Sequence, residues 1–198
     1  MKFYFFIVSM ATILLSCNNS SNDAPADLPV PPVKDTSLNQ RFFPVTAYLL
    51  GEIYNLKADG INPKKYITVN DHVDSAWLKV EQLDAEFKEF LHPEIDSTNL
   101  ITLFTEKSFL DQSINAFTFT YDPTRPPLPD SIQLQHWDVY INPDNNKVKR
   151  VYMVKQVSTD KMLQLTWVSG QWCKITSIVT DGAGSSKIEK EVKISWDF

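Results

Sequence analysis

The second half of the chain is a series of strand-length segments, and this feature constrains the fold more than any other. From residue 115 the hydrophobic period is two, beginning with the alternation of Phe117, Phe119 and Tyr121. Five further strand-like runs follow, at 132–141, 147–157, 161–168, 171–180 and 187–197. The links between these five runs are short and rich in Gly, Asn, Asp and Ser, so they join antiparallel neighbours. The pattern predicts an antiparallel β-meander.

The first half of the chain has a helical period instead. Residues 42–58 place apolar side chains at steps of three and four, and Pro44 suits a first helical turn. A short run at 64–69 is strand-like, and residues 74–91 carry one apolar stripe that ends before Pro93. We therefore expect an α+β fold, with N-terminal helices packed on a curved antiparallel β-meander sheet of six to seven strands.

The middle strands of this sheet place apolar side chains on both sides. In the strand at 147–157, alternation sets Val151 and Met153 opposite Val148, Tyr152 and Val154. In the strand at 132–141, it sets Trp137, Val139 and Ile141 opposite Ile132, Leu134 and Tyr140. A sheet with one wet face alternates more cleanly, so we expect both faces to be covered. The helices cover one face, and the other is covered by sheet curvature, by the Pro-rich loop 122–130 or by another molecule.

The N-terminus has the features of an export signal. Met1-Lys2 supplies one positive charge, and residues 3–15 are uncharged and mostly apolar. This run is too short to span a bilayer, which needs about 20 residues, and it matches the apolar region of a signal peptide. It ends at Leu14-Leu15-Ser16-Cys17, which resembles the lipobox of bacterial lipoproteins. The resemblance implies cleavage before Cys17 and acylation of its sulfur and of the new amino terminus, for example with palmitate.

The lipobox resemblance gives a domain plan and a location. Residues 1–16 are the signal peptide, 17–40 are the lipidated cysteine and a disordered tether rich in Pro, Ser and Asn, and 41–198 are one α+β domain. Several acyl chains on one cysteine hold a protein stably at a membrane. Because Asn18 follows the cysteine where an aspartate would signal inner-membrane retention, we expect the outer membrane, facing the periplasm or the surface. The alternative is an ordinary thiol or a cysteine within a cleaved signal.

Charge and cysteine content exclude some functions. The net charge is −5, which argues against nucleic acid as a partner. If Cys17 is acylated, Cys173 has no disulfide partner within the chain, and we expect a small buried residue there. Lys147, Lys149, Arg150 and Lys155 form the one local basic stretch, which we interpret as a solvated strand edge.

No catalytic or cofactor motif is present in the sequence. His72, His92 and His136 each have a carboxylate within two residues, but their mutual spacing is not that of metal ligands, so we predict no metal or cofactor. The stretches TFTYDP at 118–123 and KISWDF at 193–198 resemble uncharacterised lipoproteins, a resemblance that implies no activity.

Three functions remain open from the sequence. The first is a non-enzymatic binding or accessory module, which engages either an envelope protein or a small apolar ligand through a face that contains Tyr140, Tyr152 and Trp172. The second is a hydrolase or other enzyme that would bring together His72, His136, and Glu52 or Cys173. The third is a purely structural envelope protein.

Overall fold

The computed structural model describes residues 41–197, and its main feature is one nine-stranded antiparallel sheet. The strands are β1 (Lys64–Val69), β2 (His72–Trp77), β3 (Phe104–Asp111), β4 (Ala116–Pro123), β5 (Leu134–Ile141), β6 (Val148–Ser158), β7 (Lys161–Val168), β8 (Trp172–Thr180) and β9 (Ser186–Ser195). Their spatial order is β2-β1-β9-β8-β7-β6-β5-β4-β3. Strands β3 to β9 are therefore a continuous meander, and the β1–β2 hairpin extends the sheet because β1 pairs with β9.

Two short helices lie on one face of the sheet. They are α1 (Val45–Ala58) and α2 (Leu83–Leu91), the latter preceded by a single 3₁₀ turn at Val80–Gln82. Within residues 41–197, neither helix is long and apolar enough to cross a membrane. Cys17 and residues 18–40, on which the predicted anchor and tether depend, lie outside the described residues.

The predicted fold class is wrong in its balance of helix and sheet. The chain is mostly one nine-stranded antiparallel sheet with two short helices, rather than N-terminal helices on six to seven strands. The largest error is the helix predicted at 74–91, whose first residues belong to β2 and pair with β1. The turn between them, Asn70-Asp71, has positive φ at both positions (47° and 64°), which is the backbone of a two-residue hairpin. Pairing of β2 with β1 therefore determines the structure here, although an apolar stripe that begins at Trp77 predicted a helix.

The core lies between the helices and the sheet and is rich in aromatic rings. Phe87 of α2 contacts Trp167 of β7 edge-to-face, with ring centroids 5.1 Å apart. Farther along the sheet, Tyr121 of β4 stacks on Trp137 of β5 at 4.4 Å. Such pairs add to the burial of apolar area and fix how the helices sit on the strands. Cys173 faces this core and is 1% exposed, which confirms the predicted buried residue.

Two β-bulges correct the predicted assignment of side chains to the two faces. The pairing of β5 with β6 shifts register between Leu134 and His136 and again between Tyr140 and Ile141. Each shift adds one residue and so reverses which side the following residues face. Leu134 consequently joins the buried core with Trp137, and Val148 packs against the same core. The opposite face is therefore more polar than alternation alone indicated.

Lys155 also departs from its predicted environment. Strand β6 lies between β5 and β7 and is not an edge strand. Lys155 is 2% exposed, and its ammonium donates to the backbone carbonyl of Glu89 in α2 and lies 3.5 Å from that residue's carboxylate. Burial lowers the pKa of the Lys155 ammonium. The lysine thus joins the sheet to α2.

Candidate functional site

The face of the sheet that points away from the helices carries a row of polar and charged side chains. We call it the helix-free face. The paired residues that cross it in register are Lys107, Thr120, Asp138, Tyr152, Thr166, Lys174 and Lys193. Leu128 of the Pro-rich loop, and Ile132 just beyond it, pack against the core on the helix side of the sheet.

A histidine held between two aspartates forms the centre of this face, and we call this group the His136 cluster. His136 Nδ1 lies 2.9 Å from Asp122 Oδ1, and its Nε2 lies 3.1 Å from Asp138 Oδ2. Asp138 also accepts hydrogen bonds from the hydroxyl of Thr120 at 2.7 Å and from that of Tyr140 at 3.0 Å. The side chain of Asp138 is 12% exposed and that of His136 is 26% exposed, so solvent only partly screens these bonds.

The protonation states in the cluster support one another. Hydrogen bonding to Asp138, opposed by burial and aided by both carboxylates, raises the pKa of His136. Burial pushes the pKa values of Asp122 and Asp138 upward, but their hydrogen bonds to His136 and other donors outweigh it, so both pKa values are lowered. The charged forms of all three residues are therefore stabilised together.

Carboxylates contact both ring nitrogens of His136. In its protonated form His136 donates from both ring nitrogens to the carboxylates, and neither nitrogen then offers a lone pair to a substrate proton or a metal ion. Its two aspartates lie at opposite ends of the ring and do not converge on one point. In the described part of the chain, no group of three His, Cys, Asp or Glu side chains is arranged to hold a metal ion.

The three aromatic residues predicted to form a ligand or partner face lie on the helix-free face. Register places Tyr140 opposite Arg150, and Tyr152 opposite Asp138. The guanidinium carbon of Arg150 lies 3.9 Å from the ring centroid of Tyr140, a stacked cation–π contact. At the far side of the face, the ammonium of Lys193 lies 5.1 Å from the ring of Trp172. The structure thus gives each outer aromatic a cationic neighbour that the sequence did not indicate.

The three aromatics do not share one pocket. A pocket of about 210 Å³ opens at the end of the face and is lined by Ile114, Ala116, Tyr140, Lys149, Arg150 and Val168. This volume is below the roughly 300–1,000 Å³ of drug-sized ligand sites, and Tyr152 and Trp172 are not part of the lining. These three residues therefore do not form one closed pocket for a small apolar ligand.

Two buried polar atoms beside this pocket have no hydrogen-bond partner among the described residues. They are Nε of Arg150 and the hydroxyl of Thr118, which is 3% exposed. Register places Thr118 directly opposite Tyr140. Buried polar groups in folded proteins are nearly always paired, so such atoms point to a ligand or to water.

The four residues of the enzyme hypothesis are dispersed. Cys173 is in the core, while His136 is on the opposite face of the sheet. Burial raises the pKa of the Cys173 thiol well above its usual value, which opposes formation of a nucleophilic thiolate. Glu52 of α1 accepts a hydrogen bond from the backbone of Gly170, and the exposed His72 pairs with Asp74 in β2. This particular catalytic set is not assembled.

The sequence did not indicate which charged side chains lie beside the predicted aromatic residues. One signal was present, because His136 and Asp138 are two residues apart in a strand and so share a face. Asp122 meets His136, and Arg150 meets Tyr140, only through strand register, which the sequence does not specify.

Comparison with known proteins adds no family. The chain matches no protein-family model, and no curated protein and no solved structure is significantly similar to it.

Proposed function

We propose that this protein is a lipid-anchored, non-enzymatic binding module of the bacterial cell envelope, and that it binds through the helix-free face. The observation that most supports this proposal is the His136 cluster, a charged and hydrogen-bonded group on a face of the sheet that the helices leave uncovered. Groups fixed in this way lose little entropy when they bind a ligand, because their positions are already set.

The chemistry of the face supports binding rather than turnover. Aromatic rings with cationic neighbours, such as Tyr140 with Arg150 and Trp172 with Lys193, are typical of recognition surfaces. Both ring nitrogens of His136 contact carboxylates, and in its protonated form the residue is a cation held in a fixed position.

The anchor explains how such a module is held in place. We propose that Cys17 is acylated, that residues 18–40 are a tether, and that the outer membrane is the location. The expected result of Cys17→Ser is release of the protein from the membrane fraction. If the variant still sediments with membranes after a high-salt wash, the anchor proposal is wrong.

The binding face is tested by site-directed photo-crosslinking in cells. A photoreactive amino acid replaces Lys193, which is exposed on the helix-free face, and in a matched variant it replaces Tyr54, which is 70% exposed on α1. We expect a discrete crosslinked product from position 193 and not from position 54. Equal crosslinking from both positions, or crosslinking from position 54 alone, would contradict the proposed face.

A further inference from the structure

The pocket around Arg150 combines a positive charge with apolar walls. Its charged members are Lys149 and Arg150, and its apolar members are Ile114, Ala116 and Val168. Its volume of about 210 Å³ corresponds to roughly seven water molecules at liquid density. The pocket therefore suits a small group that has one anionic end and one short apolar end.

The guanidinium of Arg150 is held in a position where it can bind an anion. Arg150 stacks on the ring of Tyr140 and also hydrogen-bonds its hydroxyl, so the N–H groups that remain on the edge of the guanidinium are those available to a ligand. Its Nε is buried and has no partner among residues 41–197, and the unpaired hydroxyl of Thr118 lies on the strand position opposite Tyr140. A carboxylate is planar and matches the edge of a guanidinium with two parallel hydrogen bonds.

The neighbouring carboxylates accept hydrogen bonds from groups other than Arg150. Asp111 is near enough to Arg150 for an electrostatic interaction, but its Oδ1 accepts from the backbone and hydroxyl of Ser113 at 2.9 and 2.6 Å. Asp138 is taken up by the His136 cluster. The second cation, Lys149, donates to the carbonyl of Ile114 at 2.9 Å, which places its charge at the rim of the pocket.

We infer that this pocket binds a monocarboxylate with a short aliphatic chain, with the carboxylate on Arg150 and the chain against Ile114, Ala116 and Val168. The inference rests on the proposed function, since the pocket opens on the helix-free face. It names the chemistry of the ligand, which is a free aliphatic acid or the terminal residue of a larger molecule.

Titration of the full-length Cys17→Ser chain with hexanoate tests this inference, because the unlipidated chain needs no detergent into which the probe would partition. Calorimetry or amide chemical shifts should give a Kd on the order of 1 mM, the affinity expected of so small a ligand. Hexanamide and hexanol, which have the chain but no charge, should bind at least about 10-fold more weakly. Absence of hexanoate binding, or equal binding of hexanamide, would overturn the inference.

Variants separate the two ends of the ligand. Arg150→Gln should weaken hexanoate binding by about 10-fold or more, whereas Lys147→Gln, a basic residue of the same hairpin outside the pocket lining, should leave it unchanged. Ile114→Ser, in an exposed turn, should weaken hexanoate more than acetate. If inorganic phosphate binds as tightly as hexanoate, the pocket is a simple anion site and the aliphatic assignment is wrong.

The hexanoate titration and the crosslinking experiment can fail independently, so failure of the ligand assignment is distinguishable from failure of the proposed function. Loss of hexanoate binding together with selective crosslinking from position 193 would overturn only the ligand class. Hexanoate binding together with equal crosslinking from positions 193 and 54 would overturn the proposed face and keep the pocket.

Discussion

Replacement of Asp138 by alanine is the most informative perturbation of the His136 cluster. Asp138 is 8% exposed as a residue and accepts hydrogen bonds from Thr120 at 2.7 Å and Tyr140 at 3.0 Å, in addition to its pairing with His136 at 3.1 Å. Hydrogen bonds to a charged group contribute roughly 1.5–3 kcal/mol each. Because the three partners are only half-buried and regain contact with water, we take the lower end of this range. Three such partners at about 1.5 kcal/mol each mean that Asp138→Ala should lower the free energy of unfolding by about 4.5 kcal/mol.

Asp122 provides a matched control, because it pairs with the same histidine from the other side. Its side chain is 38% exposed, and its second partner, Lys107, is 68% exposed. Exposed ion pairs contribute about 0–1 kcal/mol, so Asp122→Ala should lower the free energy of unfolding by about 1 kcal/mol.

Equilibrium urea unfolding at pH 6, on chains that also carry Cys17→Ser, measures both changes. Far-UV circular dichroism of the native baselines checks that neither variant changes the fold. The reasoning is refuted if Asp138→Ala costs less than about 1 kcal/mol, or no more than Asp122→Ala.

Three further predictions concern stability. The pKa of His136 is raised in the folded state, so its contribution is complete below about pH 6.5 and is lost as pH rises through the folded pKa; His136→Gln should remove this decline in urea unfolding measured from pH 6 to 9. Phe87→Ala should lower the free energy of unfolding by about 3–5 kcal/mol, because Phe87 is fully buried between Trp167 and Trp196. As a control, Phe109→Ala at a 53% exposed position should lower it by less than about 0.5 kcal/mol. Lys155→Met, which keeps the buried aliphatic stem, should change the free energy of unfolding by no more than about 1 kcal/mol. Thermal melts that show a greater loss of stability for Lys155→Met than for Lys155→Ala would contradict this.

Turn chemistry and period made the meander predictable. Each run predicted from residue 115 onward corresponds to one of the strands β4 to β9, because alternation and the short Gly, Asn and Asp links act locally. The strand β3 was not predicted, since its exposed side chains show no clean alternation and its partner β4 defines it.

The helical half was less predictable because two signals competed. The predicted helix at 74–91 overlaps residues 74–77 of β2, yet the Asn70-Asp71 turn folds these residues back on β1. All six residues of β2 are exposed, so pairing and not burial determines their structure.

The candidate site was predictable only in part. Alternation could place Tyr140 and Tyr152 on one side of the sheet because they lie opposite the apolar set that includes Val139 and Val151. The side of the sheet predicted for Leu134 was wrong, because a β-bulge shifts the strand register and alternation in the sequence does not reveal it. The salt bridge from His136 to Asp122 depends on the register of β4 against β5, which the sequence does not specify either.

The central claim is that the helix-free face is occupied in the cell, and lysine reactivity measures this most directly. Amine labelling of intact cells and of the purified chain, followed by quantitative peptide mapping, compares Lys174 and Lys193 of the helix-free face with Lys79 and Lys88 on the helix side. The account predicts that Lys174 and Lys193 are labelled several-fold less in cells than in the purified chain, with Lys79 and Lys88 unchanged. Equal labelling of all four lysines in the two samples, or protection confined to Lys79 and Lys88, would contradict it.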